Sequence, residues 1–167
     1  MDRPERRKDP AALAIYQDHV DLLSRALIAG DFATFSARFA FPHVTQTRTN
    51  RFVIENAEQQ ARLFDSHVSG LRISGVTDLV RFADAAWFDS EDVILGAHTS
   101  HVMRDGVRLM GPYPNRLRLQ RGPDNIWRET HSANGIENTA GVFSLVSARE
   151  PDLDAPDLAI TSERKPE

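Results

Sequence analysis

The chain contains no cysteine. That alone excludes disulfides and thiolate zinc sites, and it makes a cytoplasmic setting the default expectation. No apolar run approaches the ~20 residues of a membrane-spanning helix. The start, Met-Asp-Arg-Pro-Glu-Arg-Arg-Lys, carries basic residues with no apolar stretch behind them, so it does not read as a secretory signal. Positive charge is also short: 20 Lys and Arg stand against 24 Asp and Glu, a net charge of −4. Nucleic-acid surfaces concentrate positive charge, whereas these arginines are scattered, so neither nucleic acid nor membrane is expected as a partner. No metal signature, phosphate loop or nucleophile motif stands out, and no cofactor is implied. What remains is a chain of 167 residues with an ordinary 41% apolar content, the size of one domain with a core of its own.

Residues 1–9 read as a mobile, charged lead-in. From Pro10, suited to a first helical turn, an apolar pattern runs to Ile28 with Tyr16, Val20, Leu23 and Leu27 on one stripe. Ile15, His19, Leu22 and Ala26 form the adjacent stripe, and a helix apolar on both is deeply packed. Gly30 suits its end and Asp31 caps a second helix with Phe32, Phe35 and Phe39 at helical spacing, stopped by Pro42. Val44 to Thr47 and Phe52 to Ile54 predict a short hairpin. Asn56 caps a third helix that turns Ala57, Leu63, Phe64 and Val68 inward and ends at Gly70. The period then changes to two: Thr77 to Phe88, Val93 to Met103, Val107 to Arg121 and Ile126 to Ala133 read as long antiparallel strands. Asp89-Ser90-Glu91-Asp92, Asp105-Gly106 and Gly122-Pro123-Asp124-Asn125 supply the turns. The domain is expected to span 10–138, followed by a short packing segment at 139–148. The Pro- and charge-rich stretch 149–167 has little to bury and reads as a disordered tail.

Helices in front and strands behind predict an α+β domain. Helix, helix, short hairpin, helix and three long meandering strands, with the Gly30-Asp31-Phe32 break and the Asn125-Ile126-Trp127 strand start, resemble the NTF2-like superfamily, which includes SnoaL-like polyketide cyclases and ketosteroid isomerases. The resemblance covers roughly residues 10–135. It implies a cone-shaped, cystatin-like fold in which three N-terminal helices pack on a strongly bent, mainly antiparallel sheet around a pocket. It also implies a homodimer through the outer sheet face, for which Val93, Leu95 and Ala97 are the apolar candidates. Ketosteroid isomerases carry an oxyanion-hole tyrosine on the first helix, where Tyr16 stands, and an aspartate base in the region of His43. No aspartate stands there.

Register locates the pocket. With Asp105-Gly106 as a two-residue loop, Val102 faces Leu109, Ser100 faces Gly111 and His98 faces Tyr113. One face then carries Ile94, His98, Val102, Leu109, Tyr113, Leu117 and Leu119, and the other Arg108, Arg116 and Arg118. Buried arginines are expensive, so the first face is the inner one. The prolines of Gly111-Pro112-Tyr113-Pro114 are the weak point of that register. Placing Trp127 inward brings Glu129 and His131 to the same face, whereas the opposite alternation turns Ile126, Arg128, Thr130 and Ser132 inward.

His98, Tyr113, Glu129 and His131 are therefore the catalytic candidates, with Tyr16, His43 and Trp127 as ligand-binding candidates. Imidazole titrates near neutrality and a phenol can donate to a developing oxyanion. Each also has a plain structural reading: Tyr16 as a core aromatic, His19 as a satisfied core histidine, His43 as a loop residue and His67 as a helix-surface one. His98, Glu129 and His131 have the residue types of a two-histidine, one-carboxylate metal site, but no metal is assigned. The function expected is binding of a small apolar or weakly polar molecule in a mostly apolar pocket. The alternative is a cofactor-independent cyclase or isomerase in which a base removes a proton beside a carbonyl.

Overall fold

Asp9 starts the first helix. In the computed structural model, which describes residues 8–136, its carboxylate accepts from the backbone N–H of Ala11 and Ala12 at 2.9 and 3.0 Å, with Pro10 opening the helix. The expected segments at 139–148 and 149–167, and most of the lead-in, lie outside the described residues. Helix α1 (Pro10–Ala29) buries Tyr16, His19, Val20, Leu23, Ala26 and Leu27 and ends at Gly30, whose φ of 69° is left-handed. Helix α2 (Phe32–Ser36), capped by Asp31, is shorter than the phenylalanine spacing predicts. Phe39 instead opens strand β1 (Phe39–Gln46), where the Phe35 ring still meets it at 4.7 Å. Pairing with a neighbouring strand outweighs the helical spacing here, because the carbonyl of Arg38 already accepts from Glu129 N–H.

Strand β2 (Arg51–Ile54) pairs antiparallel with β1, as the hairpin reading expects. Helix α3 (Ala57–Ile73), capped by Asn56, runs past Gly70 and stops where Gly75 takes a φ of 69°. An interior glycine weakens a helix without ending it; the left-handed one ends it. Its buried stripe is Gln60, Phe64, Val68 and Leu71, whereas Ala57 and Leu63 face outward.

Strands β3 (Asp78–Ser90), β4 (Val93–Arg104), β5 (Val107–Arg108), β6 (Tyr113–Arg121) and β7 (Trp127–Asn134) complete one sheet. Its order is β2-β1-β7-β6-β4-β3, with β5 pairing β4. All pairs are antiparallel except β1 with β7. Helix α1 lies against β3 and β4 and touches the other helices at its far end, so the sheet's inner face and three helices enclose the core. Two apolar clusters fill it. One joins Tyr16 and Val20 to Ile94, Leu117 and Leu119, the other Leu27, Phe64 and Leu71 to Leu79, Val102 and Tyr113. Gly96 belongs to the first by necessity, since a Cβ there would run into the Tyr16 ring.

Two irregularities decide which side chains face the core. The Asp105-Gly106 turn pairs Arg104 with Val107 as expected, but beyond Gly111-Pro112 the ladder has slipped: Ser100 faces Tyr113 and His98 faces Asn115. The slip is two residues, so the β4 and β6 faces stay as the alternation assigns them. In β7 the ladder jumps between Leu119–Glu129 and Arg118–His131, a bulge that takes up Thr130. Glu129 and Ser132 point inward, and His131 shares the outer face with Arg118.

Candidate functional site

Glu129 enters the core between two imidazoles from the N-terminal part of the chain. His19 Nε2, on α1, lies 3.3 Å from its Oε2, and His43 Nε2, on β1, lies 3.1 Å from Oε1. All three side chains are buried. A carboxylate only accepts, so both Nε2 atoms carry a proton and donate, which leaves each Nδ1 as the second ring site. Both Nδ1 atoms are buried without a hydrogen-bond partner. Burial pushes the Glu129 carboxyl up, but the two donors outweigh it and hold the group ionised, well below the usual carboxylate range. An ionised carboxylate is tolerated inside because it is paired twice.

The second polar unit is His98 on β4, whose Nδ1 lies 2.8 Å from the Tyr16 hydroxyl. Burial, with the nearby positive charge of Arg81 second, keeps His98 neutral. Burial, with Glu129 second, keeps the Tyr16 phenol protonated. Tyr16 acts here through His98: it orients the ring and leaves Nε2 as the atom for a partner.

These units border a cavity of about 290 Å³. Its apolar walls include Leu23, Leu27, Phe35, Phe39, Phe64 and Leu117, and its polar groups include His43, Gln60, His67, Arg81, His98, Glu129, Ser132 and Asn134. Leu63, 47% exposed, and Phe52 stand at the rim. Burial first, then Arg81, pushes His67 down to about 3. Ser132 also donates to Thr45 at 2.9 Å, tying β7 to β1 beneath the site.

Of the residues singled out from sequence, the structure brings His98, Glu129 and His43 to this cavity, with Tyr16 behind His98. Tyr113 is buried in the second apolar cluster, away from the lining. Trp127 packs beside Phe88 and under the Arg121 guanidinium at 5.7 Å. His131 lies on the outer face, 3.0 Å from Thr130 Oγ1, because of the bulge. His98, Glu129 and His131 thus do not converge. Among the described residues no group of three or more His, Asp or Glu is arranged to hold a metal ion.

Sequence reasoning missed Gln60, His67, Arg81 and Asn134 as lining residues. For α3 the signal was present: Gln60, Phe64, His67 and Leu71 follow one helical stripe. For Arg81 it was not, since Leu79-Val80-Arg81-Phe82-Ala83 is apolar on both faces.

No family model matches the sequence, and no curated protein does. Solved structures do match. A domain of unknown function with a cystatin-like fold from Nostoc punctiforme is similar over 80% of this chain and 82% of its own, at TM-score 0.60 and 14% identity. An NTF2-like protein with a cystatin-like fold from Novosphingobium aromaticivorans matches over 82% and 90%, at 0.58 and 17%. A Catenulispora acidiphila protein, solved in complex with S-DNPA, matches over 75% and 95%, at 0.57 and 19%. Helices packed on a curled sheet of seven strands, and the likeness to these solved structures, give this chain the NTF2-like, cystatin-like fold.

Proposed function

We propose that the chain binds a small, largely apolar molecule in the cavity between α1, α3 and the inner sheet face. The observation that carries this reading is the cavity itself: aliphatic and aromatic walls with polar side chains converging on it from α3, β1, β3, β4 and β7, the make-up of a small-molecule site. A purely structural core would have filled that space, because interiors are close-packed. That a neighbour of the same fold holds S-DNPA supports the reading. The test is a titration with apolar fragments followed by backbone amide NMR. Saturable shifts centred on His43, Phe64 and His98, abolished by Leu63→Trp at the rim, are expected. Binding that survives Leu63→Trp, or none by any fragment, overturns it.

A second reading, cofactor-independent cyclase or isomerase, is favoured by the unpartnered Nδ1 of His43. In the neutral ring that nitrogen carries the lone pair while Glu129 holds Nε2–H. It would take a proton from carbon beside a ligand carbonyl. The enolate oxygen would accept from His98 Nε2–H, the tautomer set when Tyr16 donates to Nδ1, and the proton would return at another carbon. Neutral His98 suits that role, as a donor that does not itself ionise. Deuterium exchange from D2O into a bound ketone, lost in His43→Gln, is the expected sign; equal exchange with and without protein rules it out.

The pairing of copies belongs here too. Val93 is already covered within the chain, but Phe82, 57% exposed, and half-buried Leu95 and Ala97 remain on the outer sheet face. They support a homodimer. Among the described residues no helix is long and apolar enough to cross a membrane; a cytoplasmic setting rests on the absence of cysteine.

A further inference from the structure

The alternation of β3 turns an arginine toward the apolar cavity. Arg81 pairs with Ser100 and Ala83 with His98, both inner-face partners, and Arg81 is among the residues that line the cavity. Its Nε is buried and donates to nothing. Among the described residues no carboxylate lies within ion-pairing distance of its guanidinium. The acidic side chain on the cavity wall, Glu129, is already engaged by His19 and His43. The groups that feel Arg81's charge, His67, His98, Tyr16 and Tyr113, are all held neutral by burial. Among the described residues the guanidinium therefore has no counter-charge.

Arg81 is half-buried, with its Nε withdrawn from solvent, and a partly desolvated cation favours a partner. Its planar fork of donors matches carboxylate and phosphate bidentately, and the singly charged carboxylate suits one cation on an otherwise largely apolar wall. We propose that the cavity takes a small organic carboxylate, with its apolar body against Phe35, Phe64 and Leu117 and its carboxylate on Arg81. Gln60, 3% exposed, offers a buried amide oxygen without a partner on the same cavity, which suits a hydroxyl or amine donor elsewhere on the ligand. Neutral His67 and His98 fit this arrangement because neither competes with Arg81 for the anion. The inference rests on the small-molecule reading above and names the ligand class.

The test compares acids with their primary amides on the full chain: benzoate, cyclohexanecarboxylate and 2-naphthoate against benzamide, cyclohexanecarboxamide and 2-naphthamide, by calorimetry and NMR. On the wild type at least one acid binds about tenfold or more tighter than its amide, the scale of a charge-assisted pair, and its affinity drops with added salt. Arg81→Met abolishes the acid preference while amide affinity stays, and Arg81→Lys keeps a reduced preference. Amides binding as tightly as acids, or a preference that survives Arg81→Met, overturns the carboxylate assignment and leaves the small-molecule reading standing. Failure of every acid and amide to bind overturns both. Should Arg81→Met fail to fold, the wild-type acid–amide comparison and Arg81→Lys decide.

Discussion

Replacing Glu129 tests whether the buried pair of imidazoles is held by a carboxylate. The residue is 4% exposed and accepts two hydrogen bonds, at 3.3 Å from His19 and 3.1 Å from His43. Glu129→Leu removes the acceptor and leaves two buried ring N–H groups unpaired, at about 1–3 kcal/mol each. Relief of the carboxylate's own desolvation offsets part of this, so the net loss is about 2–4 kcal/mol. The unfolding entropy of a domain this size is roughly 0.3 kcal/mol/K, so the midpoint falls by roughly 7–13 °C. Glu129→Gln keeps one acceptor, and its amide N–H can donate to the other ring once that ring's proton moves to Nδ1. Only charge assistance is lost, about 1–2 kcal/mol or roughly 3–7 °C. Acid adds a second check. Glu129 has a folded-state value near 2, below the ordinary 4.5, so its contribution is fully present above 4.5. It disappears as pH falls toward 2, and the gap between wild type and Glu129→Gln should close in that window. The assay is thermal unfolding by circular dichroism from pH 7 to 2.5. A Leu variant as stable as wild type, a Gln variant less stable than Leu, or a gap that widens in acid would refute the reasoning.

Tyr16→Phe removes the donor to His98 Nδ1 and should cost about 1–2 kcal/mol in urea unfolding while lowering ligand affinity, because the His98 ring loses its anchor; unchanged affinity would mean His98 is oriented by packing alone. His67 sits near 3 when folded against 6.5 when unfolded, so the unfolded state gains a proton as pH drops through that interval and stability declines from 6.5 toward 3. His67→Gln should flatten this part of the midpoint-against-pH curve, and a curve as steep as wild type would show that other groups govern it. Light scattering should give a dimer mass that Phe82→Glu converts to a monomer; a monomer mass for the wild type across concentrations would remove the outer-face pairing.

Much of the frame could be read from local chemistry. Asp9-Pro10, Asp31 and Asn56 begin helices because their side chains meet free N–H groups one turn ahead, and Gly30 ends one because it tolerates a positive φ. Asp105-Gly106 closes the β4–β5 turn for the same reason, and alternation along β4 and β6 identified the inner face that holds His98 and Leu117. All of these depend on residues within a turn or two of one another. The candidate site depends on more distant partners. Glu129 meets residues 110 and 86 positions away only because β1 pairs with β7 and α1 crosses the inner face of the same sheet. His131 was expected beside Glu129, and strict alternation would have put it there, but pairing with β6 makes β7 bulge at Thr130 and turns it outward. The prolines after Gly111 moved the register by two, which preserved the faces but separated His98 from Tyr113. Arg81 lies in a strand apolar on both sides, so nothing in the sequence could say which way it points. Its orientation comes from the β3–β4 ladder, where pairing with Ser100 puts Arg81 on the inner face beside the cavity.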